Sequence, residues 1–229
     1  MDIGNNSDQP MGLKFGPIVL LPEIEKRHLF TLFFGAFFGI ASMAFVNVFN
    51  YSIFSALQIP QEEFGSVAGT LTAVQEVVVV SVIGLFGALS DKVGRRLVYS
   101  MGFFLLGIGY FIYPLADNTT ELYLFRIFVA LGCAANTVML PTVANDYVHG
   151  STRGRLIAFT SILNGLGLVL IISTFRNFAT FYEQLEAPEI LINLGYDTAN
   201  WAQYTFWSAS AMVFIVSIVL YTNLKKGTA

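Results

Sequence analysis

Long apolar stretches alternate with short polar ones along most of the chain. Six of them approach or exceed the roughly 20 residues that a helix needs to cross the hydrocarbon of a bilayer. They fall at 29–57, 65–90, 97–116, 121–147, 155–175 and about 202–224. No Asp, Glu, Lys or Arg occurs from Leu29 to Gln61, whereas Glu76 interrupts the second run and Arg126 the fourth. Inside lipid the backbone must satisfy its own polar groups, so these runs are predicted as helices. Two segments fit less simply. Residues 15–21 are apolar but too short to span, and Pro17 and Pro22 punctuate them, which predicts an interfacial segment or a loose tail. Residues 176–200 are long for a connection in a compact bundle. A short surface helix over 181–194, broken at Pro188, is expected there. The chain thus reads as an all-α membrane protein: a tail at 1–27, a six-helix transmembrane bundle at 28–224 and a short tail at 225–229.

Charge gives the bundle a direction. Ten of the twelve Lys and Arg lie in alternate segments: Lys14, Lys26 and Arg27; Lys92, Arg95 and Arg96; Arg153 and Arg155; Lys225 and Lys226. The other connections carry Glu62, Glu63, Asp117, Glu183, Glu186, Glu189 and Asp197, with Arg176 among them. The positive-inside rule then places both termini in the cytoplasm. Trp201, Tyr204 and Trp207 mark the outer end of the sixth helix, as an interfacial aromatic belt does. Only 12% of residues are charged and 55% are hydrophobic, against about 25% charged in soluble domains. Membrane lipid is therefore the expected surrounding. The first 22 residues lack a basic region and a small-residue cleavage pattern, so no cleaved signal peptide is expected.

The most specific stretch is Gly87-Ala-Leu-Ser-Asp91-Lys92-Val-Gly94-Arg95-Arg96, between the second and third runs. A carboxylate at a membrane edge needs a partner, and Arg95 and Arg96 stand close by in sequence. Gly94 suits a tight turn, and Gly87 suits close approach of another helix. Every defined position resembles the loop signature of the major facilitator superfamily, Gly-x-x-x-Asp-(Arg/Lys)-x-Gly-(Arg/Lys)-(Arg/Lys). Arg126-Ile-Phe-Val-Ala130-Leu-Gly132-Cys-Ala134 is similar to the family's fourth-helix pattern, with alanine at two glycine positions. Asp146 followed by Arg153-Gly154-Arg155 resembles, more loosely, an acid-then-basic loop. The likeness covers the six spans of the family's N-terminal half. It implies two inverted three-helix repeats, a multi-pass protein of a bacterial inner (plasma) membrane, and a signature acid that works against a helix of the other half. The helix-5 proline motif of drug–proton antiporters and the post-helix-6 motif of sugar porters have no counterpart here.

Polar residues inside the spans are the candidate site. Glu76 lies 15 residues before Asp91, roughly 22 Å along a helix and so near mid-membrane. An ionisable group there points to function, with proton coupling as the chemistry and an interhelical structural role, alongside Gln75, as the alternative. Arg126 either snorkels outward or turns inward to pair with Glu76; the resemblance implies a cavity role. Asn47, Asn50, Asn136 and Asn164 lie in helices 1, 4 and 5, which the resemblance implies line the cavity. Gly35/Gly39 and Gly65/Gly69 read as helix-packing pairs.

Catalysis is not supported. His28 and His149 are the only histidines and Cys133 the only cysteine, so neither a metal cluster, a cofactor site nor a disulfide framework is expected. The basic residues are explained by membrane topology, and nucleic acid is not implied. Two functions compete. One is a half-size secondary transporter moving a small solute by alternating access, with a second six-helix half supplied by a homodimer or a separate chain. The other is a non-transporting structural or assembly subunit of a larger membrane complex. A chain that is part of a longer twelve-helix carrier gives the same sequence pattern.

Overall fold

The computed structural model describes residues 13–184 and 201–225. All six predicted spans are helices: α1 Lys26–Ala56, α2 Phe64–Val93, α3 Arg95–Ile112, α4 Thr119–Tyr147, α5 Arg153–Gln184 and α6 Trp201–Asn223. Each is long and apolar enough to cross a membrane. α5 runs nine residues past the predicted stop at Phe175, so the start of the expected surface helix at 181–184 is its continuation. The rest of that expected helix lies outside the described residues.

The ends of the helices have local causes. Asn118 caps α4 by accepting from the Glu121 amide at 3.0 Å, and Glu121 in turn accepts from the Asp117 amide. Such reciprocal caps satisfy amides that a helix start leaves open. Gly94 ends α2 and begins α3 at φ 93, a conformation that side chains with a Cβ resist.

Alternation of helix direction gives the bundle two ends. The basic end holds Lys26, Lys92, Arg95, Arg153 and Lys225; the opposite end holds Glu62, Glu63, Asp117 and Glu121. Helix α4 packs against α2 and α3, α3 against α6, α6 against α1, and α1 against α5, with α1 and α4 also in contact. This chain of contacts leaves α2 and α5 as its two ends. They are the least enclosed spans: 17% and 28% of their most apolar windows are buried, against 56% for α1, α3 and α4.

Small residues decide how closely the enclosed helices meet. At Gly132 of α4, an added Cβ would come 2.7 Å from the Gly102 carbonyl oxygen of α3. At Gly35 of α1 it would meet the Tyr99 hydroxyl at 2.8 Å. The pair Gly65/Gly69 behaves differently, because nothing lies within 4 Å of a Cβ built on either.

The segment expected as interfacial or loose is ordered by tertiary contacts. Lys14–Phe15 (β1) and Ile18–Val19 (β2) form a small antiparallel hairpin, and Ile18 and Leu20 are about 1% exposed. The hairpin clasps the α4–α5 turn. His149 donates to the Val19 carbonyl at 3.0 Å, the Val19 amide donates to Thr152 Oγ1 at 3.2 Å, and Arg155 Nη1 donates to the Pro17 carbonyl at 2.9 Å. Nearby, Lys225 Nζ bonds the Glu23 carboxylate. That contact holds the Glu23 carboxyl below its ordinary range.

Candidate functional site

Two polar centres stand out, one at the basic end and one within the span. At the basic end Arg95 is the hub. Its guanidinium bonds the Asp146 carboxylate at the end of α4, donates to the Thr142 carbonyl at 3.4 Å, and lies 3.8 Å from Asp91 at the end of α2. One side chain thus ties the α2–α3 turn to α4. Asp91 remains mostly open, with 71% of its side chain exposed. Lys92 is exposed, and Arg96 sits over the Tyr221 ring at 4.8 Å. Nothing lies within 4 Å of a Cβ placed on Gly87. A cavity of about 470 Å³ opens beside this hub, between Asp91, Arg96, Asn145, Arg153 and Lys225.

The inner centre is built on Arg126. It lies seven residues into α4, about 10 Å from the acidic end, and is fully buried. It neither snorkels outward nor pairs with Glu76. Instead Nη2 bonds the side-chain oxygen of Asn47 on α1. Asn50, one turn further along α1, accepts from the Tyr113 hydroxyl at 2.9 Å, and Arg126 stands within electrostatic reach of that hydroxyl and of Cys133. Arg126 Nε and Nη1 have no hydrogen-bond partner. Among the described residues no carboxylate lies within ion-pair distance of this buried guanidinium. Taking a charge out of water is costly unless hydrogen bonds replace the lost solvation, so the arrangement invites an acceptor.

Glu76 is exposed on α2, on the open flank of the bundle, and Cys133 of α4 lies within electrostatic reach of both it and Arg126. Its neighbour Gln75 is buried, with its side-chain oxygen unpartnered. Two of the amides serve seams between helices. Asn164 of α5 accepts from the Ile40 amide of α1 at 3.5 Å. Asn136 of α4 packs on Gly102 of α3, where an added Cβ would come 2.7 Å from its side-chain oxygen. Of the expected residues, the structure brings Arg126, Asn47 and Asn50 together. It adds Tyr113, whose place just beyond α3 gave no sign of a partner on α1.

Comparison with known proteins follows the same outline. The sequence profile of the Major Facilitator Superfamily matches residues 32–228. The riboflavin transporter RibZ of Clostridioides difficile is 27% identical over 139 residues, covering 61% of this chain and 30% of that protein. The magnetosome protein MamH of Paramagnetospirillum magneticum is 28% identical over 125 residues, covering 51% and 29%. A probable inorganic phosphate transporter of rice, Oryza sativa, is 27% identical over 143 residues, covering 59% and 26%. Among solved structures, the inward-open xylose transporter XylE of E. coli superposes with a TM-score of 0.58 at 19% identity, covering 87% of this chain and 47% of that one. The chain therefore corresponds to less than a third of the length of these three relatives and about half of the solved transporter.

Proposed function

The chain belongs to the Major Facilitator Superfamily, and from that premise we propose that it is a half-size transporter unit moving a small solute by alternating access. Its spans form two inverted three-helix repeats, α1–α3 and α4–α6. The basic end faces the cytoplasm of a bacterial inner membrane, as the positive-inside rule requires. The solute path runs along α1, α2, α4 and α5, against a second six-helix half. The observation that carries this reading is Arg126: a buried guanidinium with two unpartnered nitrogens, held by an Asn47 that is itself exposed. A bundle built only for packing has no need of that charge. The open donors favour a solute rich in acceptor atoms, and phosphate and riboflavin, after the relatives' names, are the first to try in proteoliposomes.

Glu76 is the proton-coupling residue in this reading, because it stands near mid-span on the open flank. Glu76→Gln is expected to abolish accumulation driven by an inward proton gradient while leaving solute exchange at equal pH in place. Gradient-driven uptake equal to that of the parent chain would remove the coupling role. A second reading, a non-transporting assembly subunit, draws on the same open flank and on the likeness to a magnetosome protein. A defined hetero-complex that survives mild detergent, with no uptake of any solute, would favour it.

A further inference from the structure

We infer that residues 13–25 are a latch on the basic end of the bundle: docked, they hold the start of α5 beside α1, α4 and α6, and undocked they free it, so that this mouth of the solute path opens. The segment lies outside the six spans, yet it reaches four of them. Its backbone pairs with the α4–α5 turn. Leu20 bridges Val148, the Leu21 amide donates to the Tyr147 carbonyl at 3.0 Å, and the His149 amide donates to the Val19 carbonyl at 3.0 Å. Thr152 Oγ1 closes this contact: it accepts from the Val19 amide and lies 3.2 Å from the carbonyls of Val19 and His149. Arg155 of α5 donates to the Pro17 carbonyl, the Phe15 ring meets Phe30 of α1 edge-on at 5.5 Å, and Glu23 pairs with Lys225 just beyond α6.

These ties matter most for α5. It packs mainly on α1 and little on α4, its neighbour in sequence, and only 28% of its most apolar window is buried. Its start is therefore positioned by the turn before it and by the segment docked on that turn. The turn has room to shift, since nothing lies within 4 Å of a Cβ built on Gly150 or Gly154.

Docking is favourable and still reversible. Ile18, Leu20 and Ile24 are 1–2% exposed, so the docked segment takes apolar surface out of water. Its polar ties sit at a water-facing edge, where such pairs hold little: the Glu23 side chain is 76% exposed and Arg155 is exposed as well. Undocking breaks no hydrogen bond inside any helix, which places it among the low-cost local openings of a fold. It also takes Leu21 and Ile24 out of the wall of the basic-end cavity and joins that cavity to the water. The part this plays in transport rests on the proposed transporter; the latch itself rests on the contacts.

The test uses the full chain, in lipid nanodiscs and in proteoliposomes. Leu20 and Val148 form a non-hydrogen-bonded antiparallel pair, for which a Cα spacing of about 4.5 Å is usual and within the span of a disulfide. Leu20→Cys with Val148→Cys, once oxidised, locks the latch; each single substitution, beside the buried Cys133, is the control. Thr152→Val with Arg155→Ala releases it. In the release variant, amide hydrogen exchange of residues 18–21 and of 153–160 is expected to quicken together, roughly tenfold, as the loss of about one hydrogen bond predicts. Residues 98–110 of α3 keep the parent's protection. In the locked chain both segments are expected to exchange more slowly than in the parent. Transport of labelled phosphate or riboflavin is expected to be slowed roughly tenfold or more by the lock and restored by reduction, and to run faster than the parent's in the release variant. A release variant in which 153–160 stays as protected as in the parent overturns the inference. So does a locked chain that transports at the rate it shows after reduction. If α3 loses protection too, the release variant has unfolded and the locked chain decides alone. A parent chain that carries neither solute counts against the transporter reading, and the latch then stands or falls on hydrogen exchange.

Discussion

Gly167→Val is expected to lower the melting temperature of the detergent-solubilised chain by roughly 10 °C, and Gly165→Val, two residues away, to leave it nearly unchanged. The contrast follows from the seam between α1 and α5. A Cβ built on Gly167 falls on the carbonyl oxygen of Phe37 and 2.7 Å from its carbonyl carbon. Both are backbone atoms, so no rotamer change relieves the clash; α1 and α5 must separate. Forcing carbon into a well-packed seam costs about 1–3 kcal/mol, and the backbone contact puts this site at the upper limit. Separation also breaks the bond from the Ile40 amide to Asn164, one turn away on α5. Gly165 points into open space, with nothing within 4 Å. In a helix interior a β-branched replacement for glycine carries no propensity penalty. Equal melting of the two variants would show that the seam has slack the contact distances deny.

The same contrast explains what could be read from sequence and what could not. The six spans were legible because a bilayer imposes a length and a polarity on each helix, and their predicted ends at α1, α2, α4 and α6 lie within about three residues of those observed. Hydropathy reports the lipid-crossing part of a helix rather than the helix, which is why α5 outruns the run that predicted it. The face a residue turns to its neighbours was not legible. These helices are apolar nearly all round, so periodicity carries little information about rotation. Gly65/Gly69 and Gly167 look alike in sequence, yet the first two meet nothing and the third meets backbone.

Long-range pairings were hidden for the same reason. Arg95 was expected to serve Asp91, four residues away, and its closest carboxylate is Asp146, 51 residues on. The hairpin at 14–19 needed partners from the α4–α5 turn that no local pattern announces. From sequence, Arg126 either snorkels outward or turns inward to pair with Glu76. The rotation of α4 sends the guanidinium towards α1 instead, where the neutral amide of Asn47 receives it.

That neutral partner gives the second large expectation. Asn47→Leu is expected to destabilise the chain by about 3 kcal/mol, in the range for removing one partner of a buried charge. Arg126 is fully buried, its Nε and Nη1 have no hydrogen-bond partner, and besides Asn47 the polar oxygen beside it is the Tyr113 hydroxyl, which donates to Asn50 and can accept from the guanidinium. Without the Asn47 oxygen the guanidinium keeps its desolvation cost and loses its clearest compensation. Arg126→Leu removes the cost together with the charge, so its melting temperature is expected to stay at or above that of the parent chain. Asn47→Leu combined with Arg126→Leu is expected to melt close to Arg126→Leu alone, which makes the two effects strongly non-additive. Uptake separates stability from function: in the proposed transporter both variants lacking Arg126 are stable and inactive, whereas Asn47→Leu is unstable. If Asn47→Leu melts with the parent chain, the guanidinium has another acceptor in the membrane, and the solute-facing role assigned to its open nitrogens falls with that result.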